Sequence, residues 1–220
     1  MLRINSGGCF VCDMHKVLSF VHVASLFILC KIPKMNNSSP HRKNLKRYNL
    51  PNHIHELTFS CYKHLPLLTS ERTCNNLAKS IIKSCAKLDY GIVAYVFMPT
   101  RVHLLLLPNK TDYSISDFLR LVKQPVGKKE ISYMKWNEPD KLNHLLSGWE
   151  KPKYLFWLRG GGYDRNIVET ETLGKSMNYI HNNPVRKELV KSAVEWKWSS
   201  AKDWLLDEEG IIPVVKSLRL

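Results

Sequence analysis

The chain has 220 residues, 44% of them apolar, and carries 33 Lys and Arg against 19 Asp and Glu for a formal charge of +14. That size suits one domain with appended segments, and the apolar share allows a packed core, which excludes a chain too polar to fold. The excess of positive charge favours a polyanionic partner, of which nucleic acid is the commonest.

At the N-terminus, "KVLSFVHVASLFILCKIPK" (Lys16 to Lys34) holds an apolar run of about 15 residues, short of the ~20 that span a bilayer. His22 interrupts it and no small-residue cleavage site follows, so neither a signal peptide nor stable membrane association is expected. Met35 opens the polar, basic "MNNSSPHRKNLKR" and is expected to be the natural start. Residues 1–46 are therefore read as an extension, 47–205 as the domain and 206–220 as a C-terminal tail. The six cysteines (Cys9, Cys12, Cys30, Cys61, Cys74 and Cys85) show no framework spacing. Cys9 and Cys12 lack a second ligand pair for zinc, which points to reduced thiols in a cytoplasmic protein.

Along the domain, "IHELTFSCY" (Ile54 to Tyr62) alternates as a strand does. A helix follows, capped by Ser70, with Leu77, Ile81, Ile82, Cys85 and Leu88 at helical spacing. "YGIVAYVF" and "VHLLLLP" form the next two strands, joined at Met98-Pro99-Thr100 as an antiparallel hairpin. A second helix carries Ile115, Phe118, Leu119 and Val122 on one side, with a kink or a break at Pro125. Asn137 to Pro152 reads as a loop, and "KYLFWLRGGGYDRNIV" as a fourth strand interrupted by glycines. "ETLGKSMNYIHNNP" is a third helix stopped by Pro184, and the aromatic tail is partly helical. The order strand-helix-strand-strand-helix-strand predicts an α+β, ferredoxin-like or RRM-like sandwich, an antiparallel sheet with helices on one face.

Two pairs of residues carry chemical interest. Arg101 and His103 are two apart on a strand, so both point away from Val102, Leu104 and Leu106. Tyr179 and Asn183 are four apart on a helix whose stripe of Leu173, Met177 and Ile180 should face the core. Each pair alone has an ordinary explanation, as a solvated sheet face or as a boundary tyrosine with a helix-capping asparagine. "RGGGYDR" (Arg159 to Arg165) reads equally well as a phosphate grip and as a strand turn. It lacks the Gly-Lys-Ser/Thr of a Walker loop. Lys128 and Lys129, with the basic arm "HRKNLKR", could track a phosphate backbone. Trp136, Trp149 and Tyr163 are candidates for stacking on bases, while Trp157 is expected in the core.

Taken together, "LTFSCY", "AYVFMPTRVHLLL", "FWLRGGGYDRNI", "YIHNNPVRKELV" and "WKWSSAKDW" resemble the REP-associated tyrosine transposases, a branch of the single-tyrosine HUH transposases. The resemblance runs in order from about Arg47 to Trp204. It implies bacterial proteins that nick and rejoin single-stranded or hairpin DNA, with a tyrosine forming a 5′-phosphotyrosyl intermediate that reverses without ATP. It assigns the nucleophile to Tyr179, and to His103 and Asn183 two ligands of a divalent ion, Mg²⁺ or Mn²⁺. The first histidine of the family's His-hydrophobic-His triplet falls on Arg101. Arginine offers no lone pair and stays charged, so it cannot coordinate a metal. Either its guanidinium takes over part of the ion's charge on the phosphate, or metal affinity and catalysis decline. An active transposase and a catalytically degenerate DNA- or RNA-binding module thus remain the two readings. An RNA-binding sheet is the weaker form of the second, since no RNP-type aromatic block is present. Dimers occur among the proteins it resembles, and the aromatic tail could serve as a homodimer interface, by analogy only.

Overall fold

Alternating apolar residues produce a four-stranded antiparallel sheet in an α+β arrangement, as expected. The computed structural model describes residues 48–51, 53–148, 153–160 and 162–217. The expectations for residues 1–46, including Met35, the N-terminal cysteines and the basic arm, and for Trp149 lie outside the described residues. β1 (Ile54–Ser60) leads through α1 (Glu71–Leu88) to β2 (Tyr90–Met98) and β3 (Arg101–Pro108). α2 (Ile115–Asn137) and α3 (Pro139–Asn143) precede β4 (Tyr163–Ile167), α4 (Thr170–Arg186) and α5 (Ala201–Leu205). The strands lie in the order β2-β3-β1-β4. α1 therefore carries the chain from the centre to one edge, and the segment through α2 and α3 carries it to the other.

One face of the sheet presents Leu57, Phe59, Tyr95, Phe97, Val102, Leu104 and Leu106 to α1 and α2. Leu77 and Ile81 of α1, and Phe118 and Val122 of α2, close that core. Burial of each such side chain contributes about 1.5–3 kcal/mol. The placement of helices on one face holds for α1 and α2 but not for α4. The opposite face carries Ile54, Val93, Ala94, Val96, Met98, Leu105 and Ile167, and α4 covers part of it with Leu173 and Ile180. Apolar residues on both sides of β2 require a cover on both sides. α1 buries Leu77 and Ile81 as its spacing predicts and starts on Ser70, whose hydroxyl accepts from the Thr73 amide at 3.2 Å. Ile82 falls outside that stripe and is 38% exposed.

Both prolines expected to interrupt helices lie inside them. α2 runs through Pro125, which lacks the N–H that would bond the Leu121 carbonyl. The Ser80 hydroxyl of α1 sits within reach of the carbonyls of Leu121 (3.3 Å) and Val122 (3.0 Å) and supplies the donor instead. α4 continues past Pro184 to Arg186, its buried residues Ile180, Asn183 and Pro184 outweighing one lost hydrogen bond. It closes where Glu188 adopts φ 56°, and the Glu188 and Leu189 amides bond Val185 O and Pro184 O, both at 2.9 Å.

The fourth strand is shorter than expected. Tyr154 and Trp157 make only isolated bridges, to Leu146 and Cys61, and α3 occupies part of the expected loop. The aromatic tail lies along β2. Trp196 and Trp204 donate their indole N–H groups to Phe97 O (2.9 Å) and Val93 O (2.8 Å). The Phe97 amide bonds Trp198 O and the Val215 amide bonds Ile92 O, each at 2.8 Å. Among the described residues no helix is long and apolar enough to cross a membrane. Cys61, Cys74 and Cys85 are free thiols pushed up to about 12 by burial, so none is a ready nucleophile.

Candidate active site

Sheet parity puts Glu56 and Thr58 of β1, Arg101 and His103 of β3 and Arg165 of β4 on the face that α4 covers only in part. Thr58 pairs with His103 and Glu56 with Arg165 across the ladders. The hairpin turn fixes Arg101 at the first position of β3, opposite Met98, and the Cys61 and Leu68 amides hold the turn by bonding Thr100 O (2.8 Å) and Pro99 O (3.0 Å). α4 buries Leu173 and Ile180 against the sheet, and the next strip round the helix carries Ser176, Tyr179 and Asn183 toward the uncovered strands.

Two adjoining hollows result, each of about 450 Å³ and sharing Arg101 and Tyr179. The first is lined by Glu56, Thr58, His103, Tyr163, Arg165, Lys175 and Ser176. The second is bounded by the hairpin turn and by Asn183, Arg186, Lys187 and Leu189. Tyr179 is 42% exposed, and its ring meets that of His103 edge to face with centroids 6.0 Å apart. The Arg186 guanidinium carbon lies 5.1 Å from the centroid of the same phenol ring.

His103 is buried, with Nδ1 bonded to Thr58 Oγ1 at 2.8 Å. Its Nε2 is also buried and has no hydrogen-bond partner among the described residues. Burial, and then the Arg101 charge, hold its pKa down to about 4, so the ring is neutral at physiological pH. Asn183 uses its amide Nδ2 to donate to Tyr179 O at 3.0 Å, which leaves its side-chain oxygen available. Glu56 is already engaged, accepting from Arg165 (2.5 Å) and from the Ser176 hydroxyl (3.1 Å). Arg101 is half-buried and forms no ion pair among the described residues.

A divalent ion finds a poor donor set here. His103 Nε2 and the Asn183 oxygen are both neutral, and Arg101 adds a fixed positive charge between the strands and the helix. Mg²⁺ and Mn²⁺ favour several oxygen ligands, carboxylates above all. Among the described residues no group of three or more His, Cys, Asp or Glu could hold a metal. These residues do not fit the ion that the family resemblance implies.

Of the residues singled out in the sequence, Arg101, His103, Tyr179, Asn183 and Arg165 gather in this cleft, with Tyr163 on its wall. Lys128 and Lys129 do not. They sit on α2, across the sheet, where Lys129 donates to Asn76 Oδ1 at 2.7 Å. Arg159 is exposed in the bend before β4 and lines neither hollow. Trp157 is buried, as expected, and donates to Lys123 O at 2.9 Å. Gly162 has a structural duty: its φ is +71°, and a Cβ there would stand 1.9 Å from Thr58 O. Sequence reasoning missed Glu56, Thr58, Ser176 and Arg186. Polar residues at every second position of "ELTFS" marked Glu56 and Thr58, and Arg186 lies two helical turns past Tyr179.

No family model matches the sequence, and no curated protein matches it. Solved structures do. A REP-associated tyrosine transposase bound to a REP hairpin superposes with a TM-score of 0.54, covering 80% of this chain and 97% of that one at 19% identity. The likeness is one of fold. A candidate transposase from Deinococcus radiodurans R1 overlaps more loosely, with a TM-score of 0.38 over 63% of this chain and 96% of that one, at 20% identity.

Proposed function

We propose that this protein is transposase-like, of the single-tyrosine HUH type, and that it engages single-stranded or stem-loop DNA with Tyr179 as its nucleophile. The carrying observation is the half-exposed Tyr179 phenol set against His103 in a cleft with five cationic residues, Arg101, Arg165, Lys175, Arg186 and Lys187, and one acid, Glu56. Shared fold with a transposase that binds a hairpin supports the same reading. The phenol oxygen attacks the backbone phosphorus in line and loses its proton, the P–O3′ bond breaks, and the 3′-oxygen leaves to become a hydroxyl. A 5′-phosphotyrosyl ester remains, whose energy allows the reverse attack. Arg101 and the flanking cations place the phosphate, and His103, kept neutral and fixed by Thr58, orders the phenol. Unpaired thiols among the described cysteines support a cytoplasmic location.

The second reading, a nucleic-acid binder that no longer cuts, rests on Arg101 standing where the resemblance implies a metal ligand. The two separate on a denaturing gel after incubation with stem-loop DNA, with and without Mn²⁺. The expected result is a slow covalent adduct that Tyr179→Phe abolishes. No adduct from the native chain or from Arg101→His would overturn strand breakage and leave the binding module.

A further inference from the structure

We infer that this cleft binds a phosphodiester without a divalent cation, the Arg101 guanidinium serving as the phosphate anchor. The inference rests on the reading of the cleft as a nucleic-acid site and deepens it, by making Arg101 the group that takes the place of a metal ion's charge. Arg101 is not accounted for by the fold. It is half-buried on a strand fixed by a two-residue turn, yet its side chain makes no ion pair or hydrogen bond among the described residues. Glu56, an acid that lines one hollow with Arg101, is committed to Arg165 and Ser176. A partly desolvated cation with no counter-charge weakens the fold, and an anion in the cleft offsets that penalty.

Position tells the same story. Arg101 lines both hollows, next to Tyr179 in each, so a phosphate reaching the phenol also reaches the guanidinium. A planar guanidinium meets two phosphate oxygens at once through parallel N–H donors, a geometry no single metal–oxygen contact needs. The remaining donors, His103 Nε2 and the Asn183 oxygen, are too few and uncharged to hold Mg²⁺ or Mn²⁺ against that fixed charge.

The test uses the full chain and a fluorescein-labelled stem-loop oligonucleotide with a single-stranded flank, read by anisotropy in EDTA and in MnCl₂. Native affinity should be the same in both. Arg101→Ala should weaken binding about 10–100-fold, the range of a charge-assisted contact, and lower the salt slope by about 0.7. Lys110→Ala, which removes the same charge beyond the far end of β3, should change affinity only slightly. Arg101→His should gain calorimetrically detectable Mn²⁺ binding that the native chain lacks. Among the described residues the Arg101 side chain makes no ion pair or hydrogen bond, so its removal should leave the fold intact, and a thermal melt of each variant checks this. Native binding lost in EDTA, or Arg101→Ala no weaker than Lys110→Ala, overturns the inference. The Tyr179-dependent adduct is a separate readout: an adduct together with binding lost in EDTA refutes metal independence but not the nicking reading. EDTA-indifferent, Arg101-dependent binding with no adduct does the reverse.

Discussion

Acidification should unfold this domain earlier than its carboxylates alone require, because two imidazoles are buried neutral. His103 and His181 are 4% and 5% exposed, and both are lowered from 6.5 to about 4, mainly by burial. The nearby Arg101 charge adds to the effect at His103, while His181 Nε2 meets the Ser200 hydroxyl at 2.9 Å. In the unfolded chain each ring takes up a proton near pH 6.5, whereas the folded chain refuses it until about pH 4. The unfolded state therefore binds more protons throughout that window, and stability must fall as pH falls through it. With 1.36 kcal/mol for each pKa unit, each histidine removes about 2.5 kcal/mol between pH 7.5 and 4.5, with a slope near 1.2 kcal/mol per pH unit at pH 5. The pair together removes about 5 kcal/mol, comparable with the whole stability of a small domain. Urea titrations at half-unit pH intervals measure the slope directly, and His103→Gln and His181→Gln should each remove about half of it. A stability that stays level from pH 6.5 to 4.5, or a double variant with the native slope, would refute the assignment of these rings as neutral and sealed.

Two further perturbations probe the supports of the cleft. Gly162→Ala places a methyl group against the Thr58 carbonyl and forces a left-handed residue to carry a side chain, so it should destabilise by at least about 2 kcal/mol. It should also shift the His103 imidazole resonances by NMR, because Thr58 holds that ring; unchanged resonances and stability would show that the bend relaxes freely. Ser80→Ala should cost about 1 kcal/mol by leaving carbonyls of α2 short of a donor, and less in a Pro125→Ala background, where a restored backbone N–H bonds Leu121 O. Equal costs in both backgrounds, measured by denaturation, would show that Ser80 does not compensate the proline.

The alternation of "VHLLLL" made the direction of His103 readable, and helical spacing made Tyr179 and Asn183 neighbours; each follows from local geometry alone. That the two pairs meet depends on α4 crossing the second face of the sheet. The uninterrupted apolar run of β2 was the trace of that cover, since a strand half open to water would alternate. Local rules also failed at Pro125, because the donor that rescues α2 sits 45 positions earlier on α1. Glu56 and Thr58 went unnoticed for the same reason: the helix that makes their face part of a site comes more than a hundred residues later. Lys128 and Lys129 lie on α2, across the sheet from the cleft, because clustered charge says nothing about which side of a sheet it will occupy.

The strip of chain from Trp196 to Val215 that lies along β2 sets an order on synthesis. Until it leaves the ribosome, the outer backbone groups of Ile92, Val93 and Phe97 have no partner, and a stalled or clipped product would offer a ready seam for another polypeptide. Fusion tags placed after the last residue leave that seam closed, whereas cutting the gene before Trp196 tears it open.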